Sequence, residues 1–186
     1  IKSGAQEFVK GFYESPQQQR VYKESSYTVR LPFKDDFSSG AINDTLWSYH
    51  NGVYLNNHMG NSIPSQWIIT FDATNHTYTP YDTTDRDRTL WGDSLVTSYI
   101  DLSRENPNSN IFLSFYYQAK GQGYMPKIAD SLFVFFKNDA GIWEKEVAIA
   151  PLDTNIFLQE WLEINDPKYF HSEFQILFTN RATLGY

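Results

Sequence analysis

The stretch "SLFVFFKNDAGIWEKEVAIA" (residues 131–150) decides the fold class. Its first part, residues 131–138, is apolar on both faces of an extended chain, as in a strand buried at the centre of a sheet. "NDAG" (138–141) has the composition of a tight turn, and "IWEKEVAIA" (142–150) follows as a second strand. The stretch therefore predicts a β-hairpin whose first strand lies inside a sheet.

The same two-residue period recurs on both sides of this hairpin. It is seen in "SLVTSYIDLS" (94–103), "IFLSFYYQAK" (111–120), "IFLQEWLEI" (156–164) and "EFQILFTN" (173–180). The segments are short, turn residues separate them, and no convincing amphipathic helix interrupts them. This pattern predicts an all-β fold for residues 31–186, an antiparallel sandwich or jelly roll.

Strand alternation also selects a candidate core. In residues 111–120 one face carries Leu113 and Phe115, and the other carries Phe112, Ser114 and Tyr116. We expect the buried set to include the apolar residues of the strongest strand patterns: Leu113, Phe115, Phe133, Phe135 and Ile176.

Residues 1–30 differ in character from the rest of the chain. Gln17–Gln19 follow Pro16, and the aromatic strand patterns seen later are missing. We interpret this segment as an N-terminal arm, with residues 20–30 as a possible edge strand. Residues 31–186 form the main domain.

Composition excludes several classes of function. The formal net charge is −7, which argues against nucleic acid and anionic membranes as the main partners. The chain contains no cysteine, so disulfides and thiolate chemistry are excluded. No apolar run reaches the ~18–20 residues of a membrane span. Because the chain begins with Ile1 rather than Met, we expect a processed, exported protein.

Gly92-Asp93-Ser94-Leu95 spells the signature of the GDSL esterases, in which the serine is the nucleophile. The context differs from that of those enzymes. Residues 81–89 are a polar loop rather than a buried strand, and the residues after Ser94 alternate as a strand does. His171 also lacks an aspartate three residues before it. We therefore predict no enzyme, with Asp93 as a turn residue and Ser94 as the start of a strand.

Two carboxylate pairs remain as candidates for other chemistry. Glu144 and Glu146 lie on one strand face, as acid pairs do in some glycosidases, so a glycoside hydrolase is a third-ranked alternative. Asp35 and Asp36 stand beside a predicted strand and are the candidate ligands of a Ca²⁺ ion.

A carbohydrate site would require exposed aromatic side chains that lie in one plane. The candidates flank polar loops; they are Trp67, Tyr78, Tyr81 and Trp91. Trp67 has a competing interpretation as a core residue.

Several motifs occur in a fixed order along residues 31–182: "LPFKDDFSS" (31–39), "LW" (46–47), "GVYLNN" (52–57), "WIITFDATNHTYTPY" (67–81), "GDSLVTSYIDLS" (92–103), "IFLSFYYQAKGQGYMPKIADSLFVFFKNDAGIW" (111–143) and "YFHSEFQILFTNRA" (169–182). This ordered set resembles the jelly-roll domains of secreted and cell-surface proteins of Bacteroidota. Many of those proteins are exported by type IX secretion or linked to gliding motility, and the domains are similar in turn to MAM and concanavalin-A-like lectin domains.

The resemblance implies an exported, non-catalytic module that binds a protein partner of the outer membrane or secretion machinery, or alternatively a glycan. It also implies that Asp-Ser-Leu is a strand start. Domains of this kind usually continue into a final strand that is not found here. We therefore expect the sheet edge beside residues 173–180 to be filled, first of all by residues 20–30, or else by a C-terminal continuation of the chain or a segment from a partner.

Overall fold

The computed structural model describes residues 24–85 and 87–183, so most of the predicted arm, residues 1–30, lies outside the described residues. The regular secondary structure of the described residues is nearly all β-strand, which confirms the all-β fold class. Its helical content is limited to two short 3-10 turns, Pro107–Ser109 and Pro167–Tyr169. The strands are β1 (Thr28–Val29), β2 (Trp47–Asn51), β3 (Tyr54–Asn56), β4 (Ile68–Thr70), β5 (Thr89–Thr97), β6 (Tyr99–Ile100), β7 (Ile111–Tyr117), β8 (Leu132–Lys137), β9 (Trp143–Ile149), β10 (Leu158–Ile164) and β11 (Ile176–Thr183).

Five strands form an antiparallel sheet in the order β2-β5-β11-β8-β9. The predicted hairpin is confirmed, because β8 and β9 pair directly. Its turn is held by Asn138, whose Oδ1 accepts hydrogen bonds from the backbone N–H groups of Ala140 and Ile142. Gly141 follows with φ of +76°, a conformation that favours glycine. The turn chemistry therefore helps to set the register of the interior strand β8 against β9.

A second layer packs on one face of this sheet. Strands β7 and β10 form an antiparallel pair, and β3 and β4 form a separate hairpin. The inward residues of β7 and β10, among them Leu113 and Leu162, pack against the core of the five-stranded sheet. Phe115 meets Phe178 across the layers, with ring centroids 5.1 Å apart. The architecture is thus a two-layered antiparallel sandwich.

The predicted core residues divide between two clusters. Ile176 is buried between the layers. Leu113 and Phe115 are partly buried and pack against the same cluster. Phe133 and Phe135 are also buried, but they belong to a second cluster on the opposite face of the five-stranded sheet. Burial of β8 on both faces agrees with its continuous apolar sequence.

Two expectations from the sequence are wrong. Strand β5 begins at Thr89 rather than at Ser94, so Asp93 lies within a strand and not in a turn. Residues 173–180 do not border an open edge, because β11 pairs with β5 on one side and with β8 on the other. Of the predicted edge strand 20–30, Thr28–Val29 form β1, which pairs in parallel with β6. Within the described chain, no helix has the length and apolar character needed to cross a membrane.

Candidate functional site

The outer face of the β7–β10 pair carries three exposed aromatic side chains. Strand β7 alternates regularly between half-buried and exposed residues, so Phe112 and Tyr116 point away from the core. Trp161 of β10 pairs with Ser114, the residue between them, and so lies between the two rings in the register. The exposed fractions are 48% for Phe112, 58% for Tyr116 and 59% for Trp161. We call these three residues the aromatic face.

Polar groups surround the aromatic face. Gln159 of β10 lies opposite Tyr116 and donates a hydrogen bond from Nε2 to Ser114 Oγ at 2.8 Å. Glu163 lies opposite Phe112 and is exposed. An apolar patch with a polar rim is typical of a protein-binding surface. Exposed Trp and Tyr are also the residues that contribute most to binding in such interfaces.

The rings of the aromatic face do not form one flat platform. Phe112 and Trp161 have their centroids 6.5 Å apart and their planes 76° apart, an edge-to-face arrangement. Phe112 and Trp161 therefore do not offer two rings in one plane, the arrangement expected of the predicted sugar site.

A second candidate site is an open groove of about 440 Å³ beside β2 and β3. Its lining combines tyrosine rings with side-chain and backbone hydrogen-bonding groups: Tyr49, His50, Asn51, Gly52, Val53, Tyr54, Asn75, His76 and Tyr78. Tyr78 projects from a turn in which its N–H donates to the carbonyl of Asn75, and it is 82% exposed. Aromatic rings together with Asn and His side chains are the groups that bind sugars.

The four aromatic residues predicted for a sugar site occupy separate environments. Tyr78 lines the groove. Tyr81 does not line the groove; it is half-buried, and its hydroxyl donates to Asp93 Oδ1 at 2.7 Å. Trp91 lies on the outer face of the five-stranded sheet, 5.0 Å from Phe133 between ring centroids. Trp67 is half-buried and packs beside Gly40.

Asp93 lies against Gly52, one of the residues that line the groove. It is fully buried, and its second carboxylate oxygen accepts the backbone N–H of Asp72 at 2.5 Å. Gly52 approaches so closely that a β-carbon there would stand 1.8 Å from Asp93 Oδ1. Burial, with a further contribution from the Asp72 carboxylate, raises the pKa of Tyr54 above its usual value. Asp93 therefore joins β5 to the loops that carry the groove.

Ser94 is not placed as a nucleophile would be. It is fully buried, and its Oγ donates to Thr179 Oγ1 of the neighbouring strand at 3.2 Å. An esterase serine must be reached by its substrate and by a general base. Here the serine side chain connects two central strands of the sheet, so the geometry gives no support for an esterase.

The two candidate Ca²⁺ ligands are occupied by hydrogen bonds within the protein. Asp35 accepts the N–H of Phe37 on one oxygen and the indole N–H of Trp47 on the other. Asp36 accepts the N–H of Ser38 at 3.1 Å. Ca²⁺ takes six to eight oxygen ligands, and within residues 24–85 and 87–183 no three acidic or histidine side chains are grouped to hold a metal. The donor set does not fit the ion.

The glutamates of the glycosidase alternative are also held in structural contacts. Glu144 accepts a hydrogen bond from Lys168 Nζ at 2.7 Å and another from Asn138. The Lys168 contact is the main reason that the pKa of Glu144 is lowered. Tyr169 donates its hydroxyl proton to Glu146. The general acid of a glycosidase requires a raised pKa, whereas the pKa of Glu144 is lowered.

The aromatic face could be identified from the sequence only in part. The alternation of residues 111–117 separates Phe112 and Tyr116 from the core face, but β7 has aromatic residues on both faces. Which side faces solvent depends on the contact between the two sheets.

No model of a known protein family matches the sequence, and no curated protein is significantly similar to it.

Proposed function

We propose that this chain is a non-catalytic interaction module that binds a protein partner through the aromatic face of β7–β10. The observation that carries the proposal is the exposure of Phe112, Tyr116 and Trp161 together on one sheet face. Leaving this much apolar area in water has a cost of about 25 cal/mol per Å². A partner that covers the three rings recovers that free energy on binding.

The edges of the same strands support a protein partner. In the part of the chain described here, β7 and β10 pair only with each other, so each has one edge without a neighbouring strand. A partner segment in extended conformation can add to such an edge through backbone hydrogen bonds while its side chains contact the aromatic face. The resemblance to exported jelly-roll domains leads us to propose that the fold is a jelly roll and that the partner belongs to the cell envelope or secretion machinery.

Site-specific photo-cross-linking tests this proposal in the producing organism. We replace Trp161 with p-benzoylphenylalanine in one variant and Tyr124 in another; Tyr124 is 86% exposed and lies outside the aromatic face. After irradiation, we expect Trp161 to give a defined adduct with one protein, which mass spectrometry identifies, and Tyr124 to give none. Purified protein and partner should then bind, with at least a tenfold loss for Trp161→Ala. Equal labelling at both positions, or unchanged binding of Trp161→Ala, contradicts the proposal.

Carbohydrate binding is the alternative, and the groove is the observation that favours it. Tyr49, Tyr54 and Tyr78 supply rings there, while His76 and Asn75 supply polar groups. Affinity electrophoresis in gels that contain surface polysaccharides tests this function. Retardation that is lost in Tyr78→Ala and kept in Tyr124→Ala would support it and place the ligand in the groove rather than on the aromatic face. Equal migration with and without polysaccharide would reject it.

A further inference from the structure

The two strands that carry the aromatic face contribute only negative charge. Strand β7 contains no acidic or basic residue besides its tyrosines. Strand β10 contains two glutamates, Glu160 and Glu163, and neither a lysine nor an arginine. The alternation of β10 places Glu163 on the same side as Trp161, and Glu163 is exposed there. A carboxylate therefore stands on the aromatic face without a basic residue on either strand.

The charge of Glu163 is not balanced by a neighbouring cation. Among residues 24–85 and 87–183, no lysine or arginine forms an ion pair with it. Its Oε2 accepts a hydrogen bond at 3.2 Å from Nδ2 of Asn165, a neutral donor. A carboxylate that loses its water without gaining a cation is costly. A segment that covers the aromatic face therefore binds best if it brings a positive charge to Glu163.

The register places this carboxylate beside two aromatic rings. Glu163 lies directly opposite Phe112, and the β-carbons of opposite residues in an antiparallel pair are about 4.5–5.5 Å apart. Trp161 precedes Glu163 by two residues on the same face, a separation of about 7 Å along a strand. One cationic group of the partner can therefore contact an aromatic ring and the carboxylate together.

The exposed rings themselves attract cations. The face of an aromatic ring carries partial negative charge, and a cation within about 6 Å of its centre is stabilised, most strongly by tryptophan. Trp161 is 59% exposed and so can be reached. The same contact occurs elsewhere in this chain, where the guanidinium carbon of Arg181 lies 5.4 Å from the centre of the Trp91 ring. Arginine suits the site better than lysine, because its flat guanidinium stacks on a ring and donates two parallel hydrogen bonds to a carboxylate.

We propose that the partner segment on the aromatic face carries an arginine whose guanidinium stacks on Trp161 and donates hydrogen bonds to the Glu163 carboxylate. The inference rests on the proposed function, because it names the chemistry of the partner that the same surface binds. Apolar residues on either side of the arginine then contact Phe112 and Tyr116. An acidic segment would place like charges together at Glu163 and would bind poorly.

Selection of random peptides displayed on phage tests the inference with defined probes. The library is selected on the purified full chain, and the selected peptides are synthesised and titrated against the wild type and Trp161→Ala. We expect the peptides that lose affinity for Trp161→Ala to contain arginine. Replacement of that arginine by citrulline, which keeps the shape of the side chain and removes its charge, should weaken binding to the wild type at least about tenfold.

A second variant tests the contact with Glu163. In Glu163→Gln the difference in affinity between the arginine and citrulline peptides should become several times smaller. Glu173→Gln is the matched control, because Glu173 is exposed and lies outside the aromatic face. It should leave the difference unchanged. An equal difference in Glu163→Gln and in the wild type would overturn the pairing with Glu163.

Two further results separate this inference from the proposed function. If no selected peptide loses affinity for Trp161→Ala, the aromatic face does not bind extended segments, and the proposed function fails together with the inference. If peptides depend on Trp161 but lack arginine, or bind equally well with citrulline in its place, only the arginine is overturned and the proposed function stands.

Discussion

The indole Nε1 of Trp47 donates a hydrogen bond to Oδ2 of Asp35 at 2.8 Å, and this bond joins the loop before β2 to the core. Trp47 is buried, and its ring contacts those of Phe33, Phe37 and Phe178. Its N–H needs an acceptor there, because a buried donor without one costs ~1–3 kcal/mol. Asp35 therefore has a structural role that does not depend on a metal ion.

Asp35→Ala should lower the free energy of unfolding by about 1–3 kcal/mol, because it leaves the buried Trp47 N–H without its acceptor. Asp36→Ala is the matched control, and its effect should be clearly smaller since Asp36 is exposed. Urea unfolding monitored by tryptophan fluorescence measures both. Each protein should give the same midpoint in CaCl₂ as in EDTA. A rise with CaCl₂ that is lost in both variants would restore the predicted Ca²⁺ site.

Gly52→Ala should destabilise the protein by about 2–4 kcal/mol, the combined cost of a side chain at positive φ and of overpacking. Gly52 has φ of +81°, and the new β-carbon would collide with Asp93 Oδ1. Gly123→Ala offers a control, because its nearest atom would be 3.4 Å away. Thermal unfolding by circular dichroism distinguishes the two. Similar melting midpoints for both variants would mean that the Asp93 side chain can move away from the new β-carbon at little cost in free energy.

The Ser94 environment predicts that the protein does not hydrolyse esters. We expect p-nitrophenyl acetate and butyrate to be consumed at the rate of the buffer alone, with no difference between the wild type and a folded Ser94→Ala variant. The physical reason is that Ser94 is fully buried and that its hydroxyl donates a hydrogen bond to Thr179 Oγ1. Saturable turnover that disappears in Ser94→Ala would refute this prediction.

Local patterns in the sequence predicted some elements of the fold accurately. The hairpin of residues 131–150 is confirmed because its turn residues and its apolar strand act over short distances. The start of β5 was missed because charged residues precede Thr89 and because aspartate is unfavourable in strands. Asp93 is stabilised there by hydrogen bonds from the Tyr81 hydroxyl and the Asp72 N–H, which are distant in sequence.

The candidate sites depend on relationships that alternation does not reveal. The two-residue alternation shows which residues of β7 share a face, but it does not show which face packs against the five-stranded sheet. The position of a strand within its sheet is also not visible in the sequence. Residues 173–180 were expected beside an edge, yet β11 is the central strand of the five. The aromatic face and the groove each combine segments far apart in the chain, so only the folded arrangement brings their side chains together.

Loss of the Lys168 ammonium should change the response to acid. Lys168 lies 2.7 Å from Glu144 and 2.9 Å from Asp166, and its hydrogen bonds are the largest cause of the lowered pKa of each carboxyl. A carboxyl whose pKa is lowered by folding stabilises the protein above its unfolded pKa, ~4. That stabilisation disappears as the pH falls through the folded value.

Lys168→Met should therefore be less stable than the wild type at pH 7, and the difference should shrink towards pH 3. Denaturant unfolding at a series of pH values measures it, with Lys34→Met as a control for the loss of an exposed lysine. A difference that stays constant down to pH 3 would show that Lys168 acts through packing rather than charge.

The same replacement of phenylalanine by alanine, made at Phe133 and at Phe112, compares the two outward faces of the sandwich. Phe133 is buried in the second cluster, on the outward face of the five-stranded sheet, so its truncation should cost about 3–5 kcal/mol, the sum of lost burial and of the cavity left behind. Phe112 is 48% exposed on the aromatic face, and its truncation should cost less than about 1 kcal/mol. Urea titration of both variants gives the two values directly. Because both residues are phenylalanines on outward strand faces, the removed atoms are the same and the burial of the ring is the main difference. Equal losses of stability would contradict the difference in burial between the two rings.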